Sequence, residues 1–167
     1  RSTGSATIAH ASSSLRLTGA SNGYAWAEQD VTPPGAETEV VIRFQVTTNT
    51  ILGRTITVQV GSATVTSDLY QANGLGVGWH TITINPGAAP FYLQFINKSS
   101  TNVFIDNVEV IDNAAVELTS PYAAADVDGI RYAQVNDILY LFHDDYPPYK
   151  LKRYGDKSWS LERVFFE

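Results

Sequence analysis

Apolar and polar residues alternate with period two along most of this chain. In VVIRFQV (Val40–Val46), Val40, Ile42, Phe44 and Val46 fall on one face, while Val41, Arg43 and Gln45 take the other. RTITVQV (Arg54–Val60) repeats the scheme with Ile56, Val58 and Val60 inward. HTITI (His80–Ile84), FYLQF (Phe91–Phe95) and VFIDNVEV (Val103–Val110) follow. Turn signals at Asn22-Gly23, Pro33-Pro34-Gly35, Asn73-Gly74 and Pro86-Gly87 separate these short runs, and the series predicts a β-sandwich. No segment before residue 120 sustains a helical period; a single helical turn is expected at AAADVDG, Ala123–Gly129.

The pattern changes near residue 113. The first 116 residues hold 13 Asp, Glu, Lys and Arg, whereas the last 51 hold 15, so charge density more than doubles. Beyond NAAVELTSPY (Asn113–Tyr122) come four further strand-like runs: Ile130–Gln134, Ile138–His143, Tyr149–Tyr154 and Trp159–Phe166. Their short links, Val135-Asn136-Asp137, Asp-Asp-Tyr-Pro-Pro and Gly155-Asp156-Lys157, predict an antiparallel meander. Pro147 and Pro148 cannot donate to a ladder, so HDDYPPY reads as a stiff, aromatic-clad loop between two strands. The expected division is a sandwich over 1–112, a connector over 113–122 and a four-stranded meander over 123–167. The tract ATIAHASSS, from Ala6, is flexible in composition and expected to be only partly ordered.

Composition narrows the function classes. The chain is 44% apolar and 17% charged, enough to bury a core. A net charge of -6 and the lack of a basic run argue against nucleic acid and anionic membranes as partners. Cysteine is absent, which excludes disulfides, thiolate metal sites and cysteine nucleophiles. The chain does not begin with methionine, and an internal piece of a longer protein is expected.

Two stretches resemble known families. Over roughly Leu15–Ile111, Gln29, Val31, Gly35, Gly78, Trp79 and the closing Ile105–Val108 follow the order of jelly-roll carbohydrate-binding modules of the CBM4/9/22 type, a galactose-binding-like architecture. Over roughly Glu117–Phe166, the chain resembles a segment common in large bacteriophage and prophage tail proteins. The residues that carry that likeness are Pro121, Tyr122, Asp126, Tyr132–Gln134, Asp137, His143, Pro147, Pro148, Leu151, Arg153 and Trp159. The first resemblance implies a jelly roll. The second implies a virion structural protein, with other tail subunits as partners and the phage tail, or a prophage-bearing bacterium, as location. Pro-Pro would then fix a scaffold loop and Trp159 would anchor the last strand.

Candidate chemistry follows. Tyr24, Trp26, Trp79 and Tyr92 offer flat faces for pyranose rings, and Arg43, Gln45 and Gln94 lie opposite the core positions of their strands as hydrogen-bonding partners. If those faces coincide, a carbohydrate-binding groove for host-surface glycan results. The alternative places Trp26 and Trp79 at a sandwich edge or subunit contact. Asp106, in IDNV, stands where the related modules place a ligand for structural calcium, with Asn107 or Asp112 as helpers; the preferred reading is a β-bulge carboxylate bonded to backbone. His143-Asp144-Asp145 reads as a strand end capped by an Asp-rich turn. Glu28 with Asp30, and Glu37 with Glu39, are same-face neighbours near a turn rather than an opposed acid–base pair. Asn97-Lys98-Ser99 has the form of a glycosylation sequon and is incidental in a phage or bacterial product.

No catalytic constellation and no cofactor motif emerge. The expectation is a non-enzymatic fragment of a phage or prophage tail protein whose jelly roll engages host glycans. The competing expectation is a carbohydrate-binding module, extracellular, from a secreted glycoside hydrolase.

Overall fold

A computed structural model of the chain describes residues 4–11, 13–33, 39–47, 55–112, 117–155 and 158–165. Gly35, Glu37 and Arg54, the Pro34-Gly35 turn, the first residues of the connector, the Asp156-Lys157 link and Phe166 lie outside them, as does the side chain of Asp112.

Thirteen strands form two sheets among the described residues. They are β1 (Thr7–Ala11), β2 (Ser14–Thr18), β3 (Ala25–Val31), β4 (Val40–Thr47), β5 (Ile56–Gly61), β6 (Tyr70–Leu75), β7 (Gly78–Ile84), β8 (Phe91–Asn97), β9 (Asn102–Asp112), β10 (Arg131–Val135), β11 (Ile138–His143), β12 (Tyr146–Gly155) and β13 (Ser158–Arg163). The smaller sheet has the order β3-β8-β5-β6. The larger runs β1-β2-β9-β4-β7-β13-β12-β11-β10. Strands β2-β9-β4-β7 facing β3-β8-β5-β6 make the eight-stranded, two-sheet jelly roll expected from the sequence.

The period-two pattern accounts for the core. Val40, Ile42, Phe44 and Val46 from β4 meet Ile56, Val58 and Val60 from β5, and all are buried. Phe44 and Phe95 touch edge to face across the sheets at 5.1 Å. The tract from Ala6 is more regular than its composition suggests: β1 pairs with β2 from Thr7↔Thr18 to Ala11↔Ser14.

Two punctuation marks take forms other than turns. Asn73-Gly74 lies inside β6, where the register with β5 slips and Gly74 has φ +74, so the glycine serves a bulge. Pro147 and Pro148 lie inside β12, not in a loop. The β11–β12 turn is Asp144-Asp145, and the prolines sit where the register slips between Leu141↔Tyr149 and His143↔Tyr146. A bulge tolerates a residue with no N–H, which is why the strand passes through them.

The four C-terminal strands continue the sandwich. β13 pairs antiparallel with β7 from Trp159↔Thr81 to Glu162↔Gly78, so the ribbon β13-β12-β11-β10 extends the larger sheet. Gly78 permits this approach: its φ is +147, and a Cβ there would collide with the Leu161 carbonyl. A 3-10 helix, Ala124–Gly129, occupies the expected helical turn. No helix among the described residues is long and apolar enough to cross a membrane.

Candidate functional site

The seven residues expected to build one aromatic groove do not converge. Tyr24 precedes β3, and Trp26, Tyr92 and Gln94 belong to the smaller sheet; Arg43, Gln45 and Trp79 belong to the larger. Their alternation partners Ala25, Phe91, Phe95, Phe44, Val46 and His80 are buried between the sheets. The two sets therefore occupy opposite outer faces. Parity reveals which side of its own strand a residue takes, not which sheet the strand joins.

On the smaller sheet the face is also covered. Gln94 is fully buried, and its Nε2 donates to the Thr66 carbonyl at 2.9 Å. The 62–69 loop lies over it, held where the Val65 N–H donates to Glu28 Oε2 at 2.9 Å. Trp26 and Tyr92 are half-buried, and Tyr24 is exposed. On the larger sheet, Arg43 pairs with Glu117 at 3.5 Å and Thr81 Oγ1 donates to the Glu117 carbonyl at 2.9 Å. Trp79 lines a small cavity of about 140 Å³ with these residues and Leu118. Gln45 Oε1 accepts from Asn107 Nδ2 at 3.0 Å. Arg43 and Thr81 thus hold the connector against the sheet, and Trp79 lies beside it.

Asp106 sits at a bulge. The register between β4 and β9 passes from Gln45↔Asp106 to Arg43↔Glu109, and Asn107 has φ +49. One carboxylate oxygen accepts from the Asn107 N–H at 2.8 Å and the other from Ser14 Oγ at 3.1 Å. This is the backbone-bonded bulge carboxylate weighed against calcium above. Among the described residues no three His, Asp or Glu side chains gather as a metal site. Asn97 of the sequon is buried, with Nδ2 donating to the Leu17 and Thr101 carbonyls, so it is closed to modification.

A larger concavity lies elsewhere among the described residues. A cleft of about 650 Å³ opens between β3 and β9, lined by Leu15, Ala27, Val31, Phe95 and Val110, with Gln29 and Asp30 beside them. None of the seven groove residues lines it.

Among the described residues, a concentrated polar cluster lies where β12 and β13 join β7. Glu162 is 1% exposed; its carboxylate accepts from Ser160 Oγ at 2.7 Å and Tyr154 Oη at 3.0 Å, and pairs with Lys150 and Lys152 at 3.2 and 3.8 Å. Burial alone would push this carboxyl up; the Ser160 hydroxyl, the His80 ring once it charges in acid, and the two ammonium groups outweigh it and hold the carboxyl below the usual glutamate range. Burial, then the Glu162 charge, pushes the Tyr154 phenol up. His80, opposite Ser160 in the ladder, donates from Nε2 to the Gly76 carbonyl at 2.8 Å and stacks on Phe44 at 5.1 Å. Burial lowers its pKa to about 4, so it is neutral at pH 7. Tyr70 reaches across from the smaller sheet to Ser158, Oη to Oγ 2.9 Å. Strand parity alone, which assigns charged residues to solvent, does not find this cluster. The available signal is Lys150-x-Lys152 on one strand set against Ser160-x-Glu162 on the next.

Six of the residues on which the expected tail-protein resemblance rests have internal partners. Tyr122 meets Tyr146 edge to face at 5.0 Å, and Tyr146 Oη donates to Asp126 at 2.6 Å. His143 Nδ1 accepts from the Asp145 N–H at 3.1 Å, which caps the turn. The Arg153 N–H donates to the Asp137 carbonyl at 2.9 Å, and their side chains approach to 3.5 Å. Trp159 lies with Leu118, Ile130, Leu141, Leu151 and Leu161 in an apolar groove beneath the connector.

No family model matches the chain, and no curated protein matches it. Among solved structures, it is similar to the enzymatically active domain of bacteriophage CBA120 tailspike protein 4, at 16% identity and a TM-score of 0.45, over 65% of this chain. The chain spans about 18% of that structure's length, and an overlap this slight assigns nothing by itself.

Proposed function

We propose that this chain is a structural, non-catalytic part of a phage or prophage tail protein, in which the jelly roll is a surface module and the ribbon ties it to the tail's body. The observation that carries this reading is the use made of the segment that resembles tail proteins. Tyr122, Asp126, Asp137, Arg153 and Trp159 spend their side chains on one another, on Tyr146 and on the connector, the behaviour of a scaffold rather than a reaction centre. The ribbon's direct pairing with β7 also makes a stiff joint, as a load-transmitting part requires.

Recognition of a host glycan is a second role, and its residues are those of the smaller sheet alone: Tyr24 and Trp26 at one end, Tyr92 at the other. Mass spectrometry of purified particles from the encoding phage or lysogen tests the main reading. Peptides of this chain in the particle are expected; recovery only with a secreted glycoside hydrolase would replace the tail reading by the carbohydrate-binding-module reading. Glycan-array binding that drops on Trp26→Ala but not on Trp79→Ala would support the second role, and no binding to any glycan would remove it.

A further inference from the structure

We propose that β10 is a self-pairing edge, through which two copies of this chain join their larger sheets about a two-fold axis at Ala133. Among the described residues, no backbone hydrogen bond reaches the free side of β10, and all five of its residues are exposed. Large apolar side chains stand exposed beside it: Tyr132, Val135 and Phe142 are 73%, 58% and 40% exposed. Strand β11 reads Ile-Leu-Tyr-Leu-Phe, apolar on both faces, a pattern that belongs to a strand inside a covered sheet. Here it lies one strand from the rim, with Phe142 exposed and its other residues half-buried.

The other edges are blunted. β3 carries Glu28 and Asp30, β6 is bent by its bulge, and the one large apolar residue of β1, Ile8, packs on the core. β10 has no proline and no bulge.

The occupant follows from register and charge. Val135 and Ile138 flank the two-residue turn Asn136-Asp137, so they exchange backbone bonds, as do Ala133↔Tyr140 and Arg131↔Phe142. Tyr132 and Gln134 therefore turn their N–H and C=O groups outward. In an antiparallel pair centred on Ala133, Tyr132 of one copy meets Gln134 of the other, which satisfies all four groups. The small Ala133 side chain meets itself at the close-approach position, and Arg131, the one charge on the strand, faces Val135 instead of a second arginine. The pairing is isologous and closes at two copies. It goes beyond the tail reading, and a monomer would defeat it without touching the particle test above.

Sedimentation equilibrium of the 167-residue chain from micromolar to millimolar concentration is the test. The parent should form dimers and nothing larger. Ala133→Lys and Ala133→Glu, both at an exposed site, should each self-associate at least about tenfold more weakly, because like charges then face across the axis. Their circular dichroism and melting should match the parent. An equimolar mixture of the two variants should restore the dimer. A monomeric parent, dimers that persist in both variants, or a mixture that fails to recover would each overturn the proposal.

Discussion

Two regions of the larger sheet, on either side of β7, are held by opposite kinds of chemistry. Around β4, closure is apolar: Phe44, Phe91, Phe95 and the β-branched residues of β4 and β5 interlock with no charged partner among them. Around β13, closure is ionic: a buried carboxylate gathers two lysines, a serine and a tyrosine, and a neutral histidine separates this cluster from the phenylalanines. The apolar half gains stability from area alone and tolerates any pH. The ionic half gives up much of its Coulomb energy to desolvation and specifies one docking geometry. The joint is therefore expected to be the more conditional of the two regions.

That contrast can be broken first on its apolar side. Phe44→Ala should cost about 4 kcal/mol in urea denaturation, since it removes a fully buried ring between His80 and Phe95. A loss below about 1 kcal/mol would mean that the core is not the keystone.

Acid sharpens it. His80 takes up a proton near pH 6.5 when unfolded but only near 4 when folded. The unfolded state thus binds more protons in that window, and stability should fall by roughly 3 kcal/mol as pH drops from 6.5 to 4. Glu162 adds a loss below its unfolded value near 4.5, as its depressed carboxyl is finally protonated. His80→Leu should flatten the slope between pH 6.5 and 4, whatever its effect at neutral pH; an unchanged slope would place the titrating group elsewhere.

Glu162→Ala should cost the least, about 2 kcal/mol, because Lys150 and Lys152 are 30% and 21% exposed and can turn to water. Hydrogen exchange should quicken in β12 and β13 and stay slow in β8. Equal acceleration in both would make the joint part of the core.

Much of the sandwich is readable from alternation, because a strand buried on one face writes its role at every second residue. Val40, Ile42, Phe44, Val46, Ile56, Val58 and Val60 all lie where the pattern puts them. The bulge at Asp106 is likewise legible, since a short acidic side chain at an irregular strand position bonds its own backbone. What alternation omits is partnership between strands far apart in the chain. It cannot place Trp26 and Trp79 on different sheets. Nor does it show that β13 would lie beside β7, which turns a ribbon expected to stand in series into part of the sandwich's own sheet. Glu162 was illegible for the same reason: its lysines are found only once the ladder is known.

The β7–β13 ladder also fixes how this chain can be cut. A fragment ending at the connector would leave the long side of β7 without a neighbour, facing solvent with its row of amides and carbonyls in the middle of what should be a closed surface. Such a truncation keeps every strand of the jelly roll, yet adds an open edge at β7 to the one already present at β10. Shortened versions should therefore lose the β10–β11 hairpin alone, which leaves β13 on β7, and never be cut at the connector.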